Sequence, residues 1–192
     1  MRTVKTVAVY CGSNFGTGDA FRHATQAFGR ELVARGLAVV YGGTHMGLMG
    51  ALADAVLEGG GTVHGVIPRA LFERGHLHTR LTTHEIAADI ATRKARMLAM
   101  ADACIALPGG IGTVEEIMEV WTLNQLGYVD KPAGLFNIDG FFDPFLAFID
   151  SMVTRGFLPP AHRFSFAIDA DPATLIDALA TLPPITEPKW IS

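Results

Sequence analysis

Short apolar runs alternate with longer amphipathic ones along the whole chain. Val7–Cys11, Leu37–Tyr41, Val63–Ile67 and Ala103–Leu107 are five-residue, largely apolar stretches. That length and their valine and isoleucine content predict strands buried on both faces. Between them, apolar positions recur at helical spacing. The spacing predicts helices from about Asp19 to Arg35, from the turn after Gly43 to about Glu58, from about Asp89 to Ala101, and from the turn at Pro108 onward through Ile117, Met118, Val120, Trp121 and Leu123. Gly36 stops the first of these. Weaker strands are predicted near Thr82–Ile86, Ala133–Ile138 and Phe164–Ile168, with further helices over about Pro144–Arg155 and 172–181. Residues 69–81 are polar and carry histidines, which predicts a loop over one end of the sheet. Strand and helix in strict alternation predict an α/β fold with a mainly parallel sheet. With 192 residues and no internal repeat, one domain spanning 1–192 is expected, with a tail from about Pro183 that is either loose or packed on a neighbour.

Three strands end in glycine turns: Cys11-Gly12-Ser13-Asn14, Tyr41-Gly42-Gly43-Thr44 and Leu107-Pro108-Gly109-Gly110. In a parallel α/β sheet all strand C-termini lie on one edge, so the three turns should converge on one crevice. The third turn is the most informative. Pro108-Gly109-Gly110-Ile111-Gly112-Thr113 leads straight into a helix, and a helix start offers unpaired N–H groups and the positive end of a dipole to an anion. Glu115 and Glu116 stand beside that anion site. Thr113-x-x-Glu116 also reads as a capping box, with the glutamate folded back on its own helix. Neighbouring helical residues point about 100° apart, so one of the two glutamates should face the crevice, and local spacing does not choose between them.

The remaining chemistry narrows the choices. No P-loop pattern is present, and Glu115 stands where a dinucleotide fingerprint needs its third glycine. A mononucleotide or sugar phosphate fits better. The net charge of −4 and pI near 5.9 do not describe a nucleic-acid surface. No apolar run approaches the roughly 18 residues of a membrane span despite the mean hydropathy of +0.31. Arg93-Lys94-x-Arg96 is the one dense basic cluster, in a chain with four lysines, Lys5, Lys94, Lys131 and Lys189. His76, His78 and His84 match no metal-ligand spacing and read as loop-surface residues, so no metal is expected. Ser13 has no identifiable base to make it a nucleophile. Cys11 and Cys104 end strand-like runs and read as small buried hydrophobes of a reducing, cytoplasmic setting. Met118, Trp121, Leu123 and Leu126 form an apolar stripe suited to core or subunit interface.

Pro108-Gly109-Gly110-x-Gly112-Thr113-x-x-Glu116 with Arg93-Lys94 upstream resembles the Lonely Guy (LOG) family of cytokinin riboside 5′-monophosphate phosphoribohydrolases. Val9-Tyr10-Cys11-Gly12-Ser13, Tyr41-Gly42-Gly43, Gly47-Leu48-Met49-Gly50, Gln125-Leu126-Gly127 and Lys131-Pro132-x-Gly134-Leu135 extend the resemblance over roughly residues 5–181. It implies a Rossmann-like, doubly wound sheet with helices on both faces, a homodimer or larger assembly, and no cofactor. The implied reaction hydrolyses the N-glycosidic bond of an adenine-type nucleoside 5′-monophosphate to free base and ribose 5-phosphate. The resemblance favours Glu116 over Glu115 as the functional acid and pairs it with Arg93. It places Ser13, Gly43, Lys94, Gly109, Gly110, Gly112, Thr113 and Glu115 around the substrate. Where the family often has histidine, glycine and tryptophan, this chain has Ala91, Thr44 and Leu123.

On this reading Glu116 stabilises positive charge at the anomeric carbon and orients or deprotonates water, as carboxylates do in glycoside hydrolysis. Arg93 pairs with the phosphate or with that carboxylate. No acid for the departing base is identifiable in the sequence. Two other readings stand beside this one. A non-catalytic nucleotide or molybdenum-cofactor carrier would use the same loop without turnover. A pyridoxal-phosphate decarboxylase would need a Schiff-base lysine, and only Lys94 lies near the loop.

Overall fold

The structure is a computed structural model that describes residues 2–190. Seven strands form: β1 (Thr6–Tyr10), β2 (Ala38–Tyr41), β3 (Val63–Pro68), β4 (Thr83–Ala87), β5 (Ala103–Ala106), β6 (Ala133–Phe136) and β7 (Phe166–Asp169). They make one sheet in the order β4-β3-β2-β1-β5-β6-β7, with every pairing parallel. Chain direction across the sheet reverses between β1 and β5, the point where such sheets leave a crevice at their C-terminal edge.

Alternation along β1 sorts the two layers. Val7, Val9 and Cys11 face α1 (Ala20–Ala34), α2 (Gly47–Glu58) and α7 (Pro172–Thr181), packing with Phe28, Leu52 and Leu175. Ala8 and Tyr10 face α4 (Ile90–Met100), α5 (Ile111–Gln125) and α6 (Asp143–Thr154), packing with Met97, Ile117 and Ile149. Cover on both faces is what makes the inner strands largely apolar. The expected doubly wound α/β fold is therefore the observed one.

Differences are local. The segment 69–81 is not wholly loop: Arg69–Glu73 forms a short helix, α3, and Leu77 makes an antiparallel bridge to Thr44. Phe164 belongs to a 3₁₀ turn (Pro160–Phe164), and the last strand starts at Phe166. The start of α4 follows a cap, since the Asp89 carboxylate accepts the Thr92 N–H at 2.7 Å. Instead of extending loosely, the tail is tied to its own chain. Buried His162 accepts the Gln125 side-chain amide on Nδ1 at 2.7 Å and donates from Nε2 to the Glu187 carbonyl at 2.9 Å.

Candidate active site

The register between β1 and β5 sets Tyr10 beside Ala106, which carries the two following turns side by side. The Gly12 N–H donates to the Pro108 carbonyl at 3.0 Å and locks them together. Gly109 is needed at this seam, because a Cβ there would overlap the Thr113 hydroxyl and crowd Gly12. Beyond it, Gly110 caps α5 in extended conformation. The first backbone bond of that helix runs from Val114 N–H to the Gly110 carbonyl at 3.2 Å. The amides of Ile111, Gly112 and Thr113 are thereby left for an outside acceptor. A Cβ at Gly110 or Gly112 meets no protein atom within 4 Å, so the protein interior does not demand glycine there. What a side chain at these positions would obstruct is the approach to the amides.

These amides border a cleft of about 530 Å³ over the C-terminal sheet edge. Cys11, Gly42 and Thr44 lie along the strand ends, Met49 comes from α2, and Arg93 and Glu116 come from α4 and α5. Helix α5 starts at Ile111, which makes Thr113 its third residue and Glu116 its sixth. The capping box is therefore not formed: Glu116 lies too far into the helix to reach back to its start. Its Oε1 instead accepts from Arg93 Nη1 at 2.5 Å, with side-chain exposures of only 12% for Arg93 and 10% for Glu116. Burial pushes the Glu116 carboxyl above its ordinary value, with the Arg93 charge opposing the rise.

Arg93 is itself held. Its Nε donates to the Val66 carbonyl at 3.1 Å, and its guanidinium lies so close over Gly42 that a Cβ there would overlap Nη2 and the Met49 methyl. Gly42, not the predicted Gly43, thus faces the cleft. Gly43 adopts φ +78, backs onto Ile67, and gives its carbonyl to the His78 N–H at 2.9 Å.

Two further expected residues are not brought to the cleft. Lys94 and Glu115 do not line the cleft. They pair with each other on the outer side of α4 and α5, where Lys94 also meets Glu119 at 3.0 Å. The basic cluster diverges because successive helical residues must: Arg93 turns inward, Lys94 toward α5, and Arg96 to Glu85 on β4 at 2.7 and 2.8 Å. Ser13, Gly110, Gly112 and Thr113 line the cleft as expected, whereas Gly109 lines only a smaller adjoining cavity walled by Phe15, Phe21 and Phe141. Ala91 is exposed and lies outside the cleft lining.

The histidine segment was read as surface, and the structure divides it. His84 is exposed, but His78 is buried, with Nε2 on Asp54 Oδ1 at 2.9 Å. His76 lines the cleft with Met46, Leu71 and Ile90. Sequence reasoning missed all four. For Leu71 and His76 the signal was their segment's position after β3, and for Met46 and Ile90 it was a place in the connections after β2 and β4, all at the sheet edge that carries the glycine turns.

Comparison with known proteins gives consistent findings. A family model described as "Possible lysine decarboxylase" matches residues 49–179. The chain is 45% identical over 183 residues to a probable cytokinin riboside 5′-monophosphate phosphoribohydrolase of Oryza sativa subsp. japonica, covering 94% of this chain and 80% of that one. It is 45% identical over 159 residues to a cytokinin riboside 5′-monophosphate phosphoribohydrolase of Arabidopsis thaliana, covering 83% of this chain and 75% of that one. The Moco carrier protein from Chlamydomonas reinhardtii superposes with a TM-score of 0.71, over 94% of this chain and 98% of that one. At 18% identity that last likeness is one of fold.

Proposed function

The chain belongs to the LOG family of cytokinin riboside 5′-monophosphate phosphoribohydrolases, and on that footing we propose that it hydrolyses adenine-type nucleoside 5′-monophosphates to free base and ribose 5-phosphate. The observation that carries this is the buried Glu116–Arg93 pair in the same cleft as the open amides of Ile111 to Thr113. The amides take the phosphate, helped by the Ser13 hydroxyl. That fixes the sugar, so that an oxocarbenium-like centre forms beside the Glu116 carboxylate. Glu116 stabilises the developing charge and takes a proton from the attacking water. Arg93, already bonded to Val66 and Glu116, aims the carboxylate and does not reach for the phosphate. Apolar Met46, Leu71 and Ile90 also line the cleft, which suits a purine carrying an apolar N6 substituent.

A decarboxylase with pyridoxal phosphate does not fit these residues. Among the described residues no lysine lines the cleft, and Lys94 is held outside it by Glu115 and Glu119. A carrier role has no observation of its own beyond the shared fold. We also propose a homodimer acting in the cytoplasm as a single catalytic domain. Ile111 is 90% exposed and Ile90 52% exposed at the cleft mouth, a placement that suits cover by a second copy. Two free, buried cysteines accord with a reducing compartment. The activity is tested by incubating the protein with AMP, N6-isopentenyl-AMP, GMP and CMP and measuring free base. Release from the two adenine nucleotides, fastest from the prenylated one, is the predicted result, and release from none of them would refute the reading. Light scattering at micromolar concentration tests the dimer.

A further inference from the structure

Purine is a poor leaving group unless a proton reaches its ring as the C1′–N9 bond breaks, and the sequence offered no acid for that step. Only a few cleft-lining side chains carry a transferable proton. Arg93 is occupied by Val66 and Glu116, and a guanidinium does not serve as a proton donor in exchange. Burial drives the Cys11 thiol far above its ordinary value, so it is no donor at neutral pH. The hydroxyls of Ser13, Thr44 and Thr113 are too weakly acidic, and Glu116 is committed to the water. His76 remains.

The backbone around His76 is fixed on both sides. Its N–H donates to the Leu71 carbonyl at 3.1 Å, and its carbonyl accepts from the His45 N–H at 3.2 Å and from His45 Nδ1 at 3.1 Å. The Thr44–Leu77 bridge and the His78–Asp54 bond anchor the following residues. Among the described residues no hydrogen bond occupies the His76 ring itself, which is half-buried and lines the cleft with Leu71, Met46 and Ile90. A rigid main chain presenting an uncommitted imidazole is the arrangement a general acid requires.

Resting on the phosphoribohydrolase reading, we propose that His76 is the catalytic acid that protonates the departing base. The imidazolium passes its proton to a ring nitrogen of the purine as the C1′–N9 electron pair withdraws into the base. Water adds to C1′ and gives its proton to Glu116. Solvent then returns a proton to His76 and removes one from Glu116, so substrate plus water becomes base plus ribose 5-phosphate with nothing left over.

The test compares leaving groups that need a proton with ones that do not. His76→Asn and His76→Gln, each checked for an unchanged melting temperature, are assayed on AMP, on 4-nitrophenyl riboside 5-phosphate and on 7-methyl-AMP. Nitrophenolate departs unprotonated, and the methylated purine already carries its positive charge. We expect kcat on AMP to fall by about 100-fold while turnover of the activated substrates stays within about threefold of wild type. An equal loss on both kinds of substrate, or no loss on AMP, overturns the assignment. Wild-type protein that releases no base from any substrate defeats the underlying reading instead.

Discussion

Replacing Arg93 by Met keeps the apolar stem and removes the charge beside Glu116, and the cost should depend on pH in a defined direction. In the native chain burial already lifts the Glu116 carboxyl above its ordinary value of 4.5, with Arg93 restraining the rise. A carboxyl raised on folding favours the folded state below its unfolded pKa, and that contribution is lost as pH climbs through the folded value. Without Arg93 the folded value climbs further, so the variant's deficit must widen as pH rises from the native folded value to that new value. At pH 8 a charge is left unpaired at 10% side-chain exposure, and breaking such a pair costs about 3 kcal/mol. Below that new value Glu116 is protonated in the folded variant, and the loss shrinks toward the missing bonds to Val66 and Glu116, about 1 kcal/mol. With a urea slope of roughly 2 kcal/mol per M, the midpoint should drop by about 1.5 M at pH 8 and about 0.5 M at pH 5. Urea titrations followed by circular dichroism at the two pH values measure both. A deficit that is equal at the two pH values, or larger at pH 5, would refute the buried-pair reasoning.

Two more substitutions separate positioning from folding. Gly112→Ala adds a methyl that meets no protein atom within 4 Å and improves helix propensity. It should raise stability by up to about 1 kcal/mol while raising KM for the nucleotide at least about tenfold, as seen by thermal melting and steady-state kinetics. Gly42→Ala pushes a methyl into the Arg93 guanidinium. It should lower kcat by about tenfold in the native chain and have almost no effect in an Arg93→Ala background, a non-additivity that kinetics on the four proteins of the cycle would reveal.

The periodicity of the chain was enough for the order of strands and helices, because parallel strands buried on both faces are largely apolar and the helices between them are not. Convergence of the glycine turns followed from the shared direction of the strands. What local spacing left open was orientation. Thr113-x-x-Glu116 satisfies the capping pattern, but Gly110 starts the helix earlier than that pattern assumes, and Glu116 is free to meet Arg93 across the layer. The same limit hid the choice of Gly42 over Gly43, which rests on where Arg93 lies. His76 and Leu71 reach the cleft through a bridge to Thr44 and a buried His78–Asp54 contact, both of long sequence separation. Lys94 and Glu115 were misplaced because residues adjacent in sequence to Arg93 and Glu116 leave their helices on other sides.

The central claim is that Glu116 acts on the sugar of a nucleotide whose phosphate rests on the amides of Ile111 to Thr113. Glu116→Gln preserves shape and an acceptor for Arg93 but removes the negative charge. Free-base release by this variant from AMP or its N6-prenylated analogue, measured alongside nucleotide affinity by calorimetry, is the direct test. The account predicts a fall in kcat of at least about 100-fold with affinity held within about threefold. Near-normal base release would contradict it.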